Sequence, residues 1–172
     1  MINYNVFNLT RDGHKLEELA NLHTKFSREI KGIVEDPKRI KRELENSLIK
    51  GTQGQSIAEL KDKLIGYVSW NNGIYHHKGF KTKKHIKTAE ITDHFVLINY
   101  RGNLVGTYLL EFTLEYLKIE GYAQAFITID NDNETKLKGI KYFKFVPRKE
   151  RNGYIKLIRK LENGKLKRIF KI

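Results

Sequence analysis

The chain has 172 residues, 40% of them apolar, with 13 glycines, 2 prolines and no cysteine; this is enough for one domain with an ordinary core and too short for two. Without cysteine there is no disulfide, thiolate metal site, iron–sulfur cluster or cysteine nucleophile, so a reducing, cytoplasmic setting is the expectation. No run approaches the roughly 18 apolar residues of a membrane span, Met1-Ile2-Asn3-Tyr4-Asn5 lacks the basic-then-apolar layout of a signal peptide, and a formal charge of +13 suggests an anionic partner rather than a membrane interior.

Residues 3–10 alternate loosely and predict a first strand. Asp12 then offers a side-chain oxygen to cap a helix whose Leu16, Leu19, Ala20, His23, Phe26 and Ile30 share one face. Asp36-Pro37 starts a second helix, since proline is tolerated at the first helical position, and Ile40, Leu44 and Leu48 recur every fourth residue up to Lys50-Gly51. Ser56 to Leu60 and Leu64 to Trp70, separated by the polar step Lys61-Asp62-Lys63, predict a hairpin. A basic loop over 73–88 leads into a longer strand from Ala89 to Ile98. Strict alternation there puts Glu90, Thr92, His94 and Val96 on one side and Ile91, Asp93, Phe95 and Leu97 on the other.

Residues 104–120 predict a mostly buried helix, because Thr107, Glu111, Glu115 and Lys118 form its only polar stripe and Gly121 stops it. Ala125 to Ile129 is a short strand and Asn133 to about Tyr142 a short helix. Lys144 to Val146 and Tyr154 to Leu161 are two last strands around Arg151-Asn152-Gly153. The order β-α-α-β-β-β-α-β-α-β-β, with no repeat or linker, predicts a single α/β domain over residues 1–172, a mixed sheet with helices on both faces.

Charge is divided sharply along the chain. Residues 89–135 carry eight Asp and Glu against two Lys and Arg, whereas residues 136–172 carry fourteen Lys and Arg against two Glu. A charge run is most often a solvated face. Phosphates of a cofactor or a nucleic acid are the partners such a segment would otherwise suit.

The stretch from Phe95 to Leu110 reads as strand, tight loop and helix. A helix N-terminus presents unpaired backbone N–H groups and the positive end of the helix dipole, so a loop placed there can cradle a pyrophosphate. His76-His77 and His85 lack a carboxylate at ligand spacing and are better explained by the basic loop, so no metal is expected.

At this point the order of elements and the residues together resemble the GNAT superfamily of N-acetyltransferases over most of the chain. The family motif of Gln or Arg, two residues, Gly, one residue, then Gly or Ala falls on Arg101, Leu104 and Gly106, with Val96 ahead of it at the family's usual valine. Asn133 is similar to the family's asparagine beyond the next strand, and Lys144-Phe145 to its Gly-Phe. Gly153-Tyr154-Ile155, Leu157 and Leu161 resemble its last strand. Ser56 to Trp70 resembles the hairpin that ends in a family-typical Gly-Tyr, here Gly66-Tyr67. Leu104 departs from the family's glycine, and would be strained if that position requires a positive φ.

The resemblance implies a GNAT-like fold with acetyl-CoA as co-substrate, held where the strand at 90–98 splays from the strand at 125–129. Its pyrophosphate would lie on the backbone of Gly102, Asn103, Leu104, Val105, Gly106 and Thr107 beside Arg101. Its pantetheine arm would run by Phe95, Val96 and Leu97, with Asn133 nearby. Glu90, eleven residues before Arg101, sits where the protein-lysine-acetylating branch has its general base; His94, expected on the same side, is the alternative. The family's tyrosine acid falls on Ile140, so Tyr142, rotated by about 200° on an ideal helix, is the remaining tyrosine candidate.

The implied activity is acetyl transfer to a primary amine, of a small molecule or of a protein lysine or N-terminus, by direct attack in a ternary complex. A catalytically silent module, or a tRNA-directed acetyltransferase, binding nucleic acid through the basic segments, is the alternative. Dimers are common in folds of this kind.

Overall fold

The computed structural model describes residues 1–76, 85–130, 139–140, 142–151 and 154–161. The first strand, β1 (Ile2–Val6), is shorter than its alternation suggests, because a helical turn, α1 (Leu9–Asp12), begins three residues later. Asn8 caps that turn, accepting the N–H groups of Thr10 and Arg11 at 2.9 and 3.2 Å. The expected cap, Asp12, is instead buried and accepts from the Asn8 N–H at 2.8 Å and from the Arg11 guanidinium.

The first amphipathic helix, α2 (Leu16–Phe26), widens into a π-helical turn over Ser27–Lys31, which Gly32 ends at φ +67°. An i→i+5 turn shifts the helical phase. Ile30, expected on the apolar face, is accordingly exposed. The second, α3 (Pro37–Ile49), starts as predicted: Asp36 Oδ1 accepts the Lys38 N–H at 3.0 Å and Pro37 takes a position that needs no donor.

Strands β2 (Gln53–Leu60) and β3 (Lys63–His76) form the expected hairpin. Gly66 is required where it stands, because a Cβ there would lie 2.8 Å from the Phe95 carbonyl oxygen of the neighbouring strand. The segment read as a basic loop is largely strand. β3 runs to His76 and pairs with β4 (His85–Val96), and only residues 77–84 of it lie outside the described part.

α4 (Val105–Ile119), β5 (Gln124–Asp130), β6 (Val146–Arg151) and β7 (Tyr154–Lys160) complete the order. Of the helix expected over 133–142, Gly139, Ile140 and Tyr142 are described and are helical; Asn133 and the C-terminal part of the basic segment lie outside the described residues.

The seven strands form one sheet in the order β1-β2-β3-β4-β5-β7-β6. β4 and β5 are parallel and all other neighbours antiparallel. Helix α4 covers one face over Trp70, Ile91, Val96 and Leu157. Helices α2 and α3 cover the other over Ile57, Tyr67 and Phe95.

One irregularity decides the geometry of the site. Asp93 pairs with Ser69 and Ile91 with Trp70, so Thr92 has no opposite number and β4 carries a bulge. A single extra residue reverses which face the following side chains meet. Ala89, Ile91 and Val96 consequently all pack under α4, and Phe95 packs on the α2 side. Glu90 and His94, expected together, are therefore on opposite faces.

Candidate active site

Parallel pairing of β4 with β5 runs from Thr88–Gln124 to Ile91–Ile127 and stops. Beyond it β4 continues to Val96, still bonded to β3 on its other side, while β5 continues to Asp130 against β7. The β5-facing edge of residues 92–96 therefore has no strand partner among the described residues. Backbone donors and acceptors on such an edge are available to an extended ligand.

On the α4 face the divergence opens into a cleft of about 420 Å³. His94 and Val96 form the strand side of the cleft, and Arg101, Gly102, Leu104, Val105, Gly106 and Thr107 the loop and helix side. Leu110, Ile140 and Phe143 add apolar wall. Of the residues expected at the cofactor, Asn103, Phe95 and Leu97 do not line this cleft, and Leu110 and Phe143 line it without having been expected there.

The N-terminus of α4 is open. Leu104 stands at its cap position with φ +58° and ψ +6°, and no side chain accepts from the first turn. Its first N–H groups have no partner within the helix, and with the positive end of the dipole behind them they are suited to an anion. Leu104 holds the left-handed conformation that its family position reserves for glycine, at a cost of roughly 1–2 kcal/mol, and its side chain is 56% exposed. Leu104 lines the rim of the cleft while remaining more than half exposed, so the departure strains the backbone without burying the side chain.

Gly106 does the opposite service. A Cβ there would come within 2.9 Å of His94 Nε2 and 3.5 Å of Val96 Cγ2, so its bareness lets the helix start close against the strand and keeps the cleft open.

Arg101 is held rather than loose. Its Nε donates to the Val96 carbonyl at 2.7 Å, its Nη2 meets Glu29 Oε2 at 2.6 Å, and its guanidinium lies 5.3 Å from the Phe95 ring centroid. The guanidinium thereby ties the loop to the π-helical turn of the opposite layer. A partner 72 residues away leaves no pattern in the sequence.

Phe95 is buried on the α2 face and Leu97 is partly buried there, and neither lines the cleft. Glu90 is half-buried on that same face, 4.0 Å from Lys156 Nζ, which in turn lies over the Phe126 ring. Tyr142 is 73% exposed and packs edge-on against Phe143, outside the residues lining the cleft. Ile140, at the family's tyrosine position, lines the cleft instead. Among the described residues no group of three His, Asp or Glu could hold a metal ion, and no helix is long and apolar enough to cross a membrane.

The α2 face carries buried polar groups close to the open edge. His23 stacks on Tyr67 with ring centroids 3.9 Å apart. His23 Nε2 and the Tyr67 hydroxyl have no hydrogen-bond partner among the described residues. Burial pushes the His23 pKa down to about 4, against smaller opposing effects of Gln55 and Glu35. Burial likewise raises that of Tyr67, with Asp93 and Glu35 adding to it.

The comparison that decides the family concerns residues 16–144, which match the family model described as acetyltransferase (GNAT) family. The chain belongs to the GNAT family. It is an acetyl-CoA-dependent acetyltransferase by that membership. No curated protein matches the sequence significantly.

Solved structures agree on the fold. A GNAT acetyltransferase from Streptococcus pneumoniae matches with TM-score 0.68 at 14% identity, over 93% of this chain and 99% of that one. The ribosomal-protein-alanine N-acetyltransferase of Brucella melitensis matches with TM-score 0.66 at 17% identity, over 93% and 99%. The PaiA N-acetyltransferase of Thermoplasma acidophilum, solved with coenzyme A, matches with TM-score 0.64 at 15% identity, over 93% and 99%. The GNAT cleft, its glycine and its strand divergence all fit a CoA thioester, with Leu104 as the departure.

Proposed function

We propose that this GNAT acetyltransferase acetylates a primary amine, with acetyl-CoA and the amine approaching from opposite faces of the sheet and meeting at the open edge of β4. The observation that carries this reading is the divergence of β4 from β5 after Ile91 and Ile127. Acetyl-CoA supplies the thioester carbonyl that an amine nitrogen attacks. The N–H groups of Gly102 to Thr107 at the head of α4 would hold its pyrophosphate, and the edge of β4 near Phe95, Val96 and Leu97 its pantetheine arm.

The bulge at Thr92 separates two proton-handling groups that an unbroken strand would have put side by side. Glu90, on the α2 face, receives the proton that the acceptor amine must lose. His94, on the α4 face with Nε2 against Gly106, is the donor within the cleft for a departing thiolate. Tyr142, exposed and outside the cleft, takes no part. A backbone N–H on the unpaired edge of β4 would stabilise charge developing on the carbonyl oxygen.

Thermal unfolding with and without CoA tests the first half of the reading. Ligand at 100 times its dissociation constant should stabilise the chain by about 2.7 kcal/mol. Release of free thiol from acetyl-CoA, dependent on an added primary amine, tests the second. No stabilisation at millimolar CoA would defeat the proposal.

A further inference from the structure

We propose that Asp93 and the ring of Phe26 form a recognition site for an alkylammonium group on the acceptor, and that Lys31 of this same chain holds the site as an internal competitor. The inference rests on the amine-acetylating reading above and narrows its acceptor to amines carried on an alkyl chain.

The bulge at Thr92 turns Asp93 to the α2 face, within the part of β4 that has left β5. Its carboxylate side chain is 15% exposed and meets Lys31 Nζ at 3.5 Å. The same ammonium lies 4.8 Å from the centroid of Phe26, which is itself 8% exposed. A primary alkylammonium placed between a carboxylate and an aromatic face is the arrangement by which such cations are selected.

Lys31 reaches this position because the last turn of its helix is π-helical and Gly32 stops it there. Its side chain is 49% exposed although its ammonium contacts both Asp93 and the Phe26 ring. An ammonium on a flexible stem is displaceable by another of the same chemistry. The neighbouring Tyr67 hydroxyl is buried and has no partner among the described residues; an incoming polar group could satisfy it, whereas Lys31 does not.

The site also has direction. Asp93 and Glu90 share the α2 face, so a cation docked at Asp93 stands on the side from which Glu90 can take a proton. His94 and the CoA cleft stand on the other.

Binding of n-pentylamine, protonated at pH 7, followed by NMR titration of the full chain, tests the proposal without requiring turnover. Removing the competitor in Lys31→Met should tighten pentylammonium binding by about three- to tenfold, the range of one partly exposed ion pair with a cation–π contact. Asp93→Asn in that background should abolish the gain, and Phe26→Leu, which keeps an apolar packing residue, should reduce it. Equal affinity in wild type and Lys31→Met would overturn the proposal, as would a gain that survives both second substitutions. CoA binding, measured on the same samples, separates the two readings. A chain that binds CoA but shows no Lys31 effect keeps the acetyltransferase assignment and loses this site; the reverse result keeps the site and loses the proposed reaction.

Discussion

The two faces of the sheet are built to different ends. Under α4 the core is the larger one and almost wholly apolar, with Leu109, Leu110, Leu114 and Leu117 all at 0–1% exposure. Its buried Thr113 hydroxyl is satisfied by the Leu109 carbonyl at 2.8 Å. Under α2 and α3 the apolar cluster is smaller and is interrupted by His23, Gln55, Ser69 and the Tyr67 hydroxyl, some of their polar atoms lacking partners among the described residues. A buried polar group without a partner costs stability. Trp70 Nε1, in the core under α4, also lacks a partner among the described residues, but His23, Gln55 and Tyr67 lie beside the part of β4 that has left its parallel neighbour, and under the proposed reaction theirs is the face that receives the acceptor. The other face anchors α4, whose N-terminus is the proposed seat of the CoA phosphates.

The sharpest way to break this division is chemical. Glu90→Gln should lower turnover by about 10²- to 10⁴-fold, the usual worth of a general base, and leave CoA affinity as it was, because Glu90 is on the face away from the cleft. A parallel loss of CoA affinity, read by calorimetry, would mean that the faces are not separate.

Next in size is the packing contrast. Leu114→Ala, fully buried under α4, should cost about 2–5 kcal/mol in urea unfolding. A loss below 1 kcal/mol would contradict the anchoring role of that face.

His23 sharpens the contrast through pH. Its folded pKa is about 4, below the ordinary 6.5, so between those values the unfolded chain binds more protons than the folded one. Its contribution to stability is complete above pH 6.5 and is lost as pH falls towards 4, by at most about 1.4 kcal/mol per unit. His23→Gln should flatten that part of the stability profile, measured by denaturant melts between pH 4 and 7.

The smallest effect is at the cleft. Leu104→Gly relieves a left-handed backbone but adds freedom to the unfolded chain, for a net gain of about 0.5–1 kcal/mol. CoA should bind at least as tightly, since the first-turn donors keep their positions. A destabilised variant would show that the exposed leucine side chain does work that the backbone geometry does not reveal.

The architecture was legible because it is carried by local patterns. Asp36-Pro37 marks the start of α3, Gly121 follows the end of α4, and Arg101, Val96 and Gly106 mark the cleft whose lining they share. What the sequence hides is of two kinds. The bulge at Thr92 inserts one residue into Glu90-Ile91-Thr92-Asp93-His94-Phe95-Val96, and a pattern of alternating types fits that string equally well with or without it; hence the misplacing of Glu90 beside His94. The contacts Arg101 to Glu29 and Lys31 to Asp93 depend on how two layers dock and on a π-helical turn, neither of which has a periodic signature. Asp12 does not cap α2 for a simpler reason: a helical turn precedes α2 and leaves Lys15 at its N-cap with no side-chain cap, while the Asp12 carboxylate pairs with Arg11 and the Asn8 N–H.

The central claim, that cofactor and acceptor meet at the open edge of β4, is tested most directly by following backbone amide resonances during a CoA titration. The account predicts that amides of residues 92–96 and 102–107 shift together, while Thr88 to Ile91, already paired with β5, stay in place. Shifts confined to the basic C-terminal segment, or amides of 92–96 unmoved at saturating CoA, would contradict it.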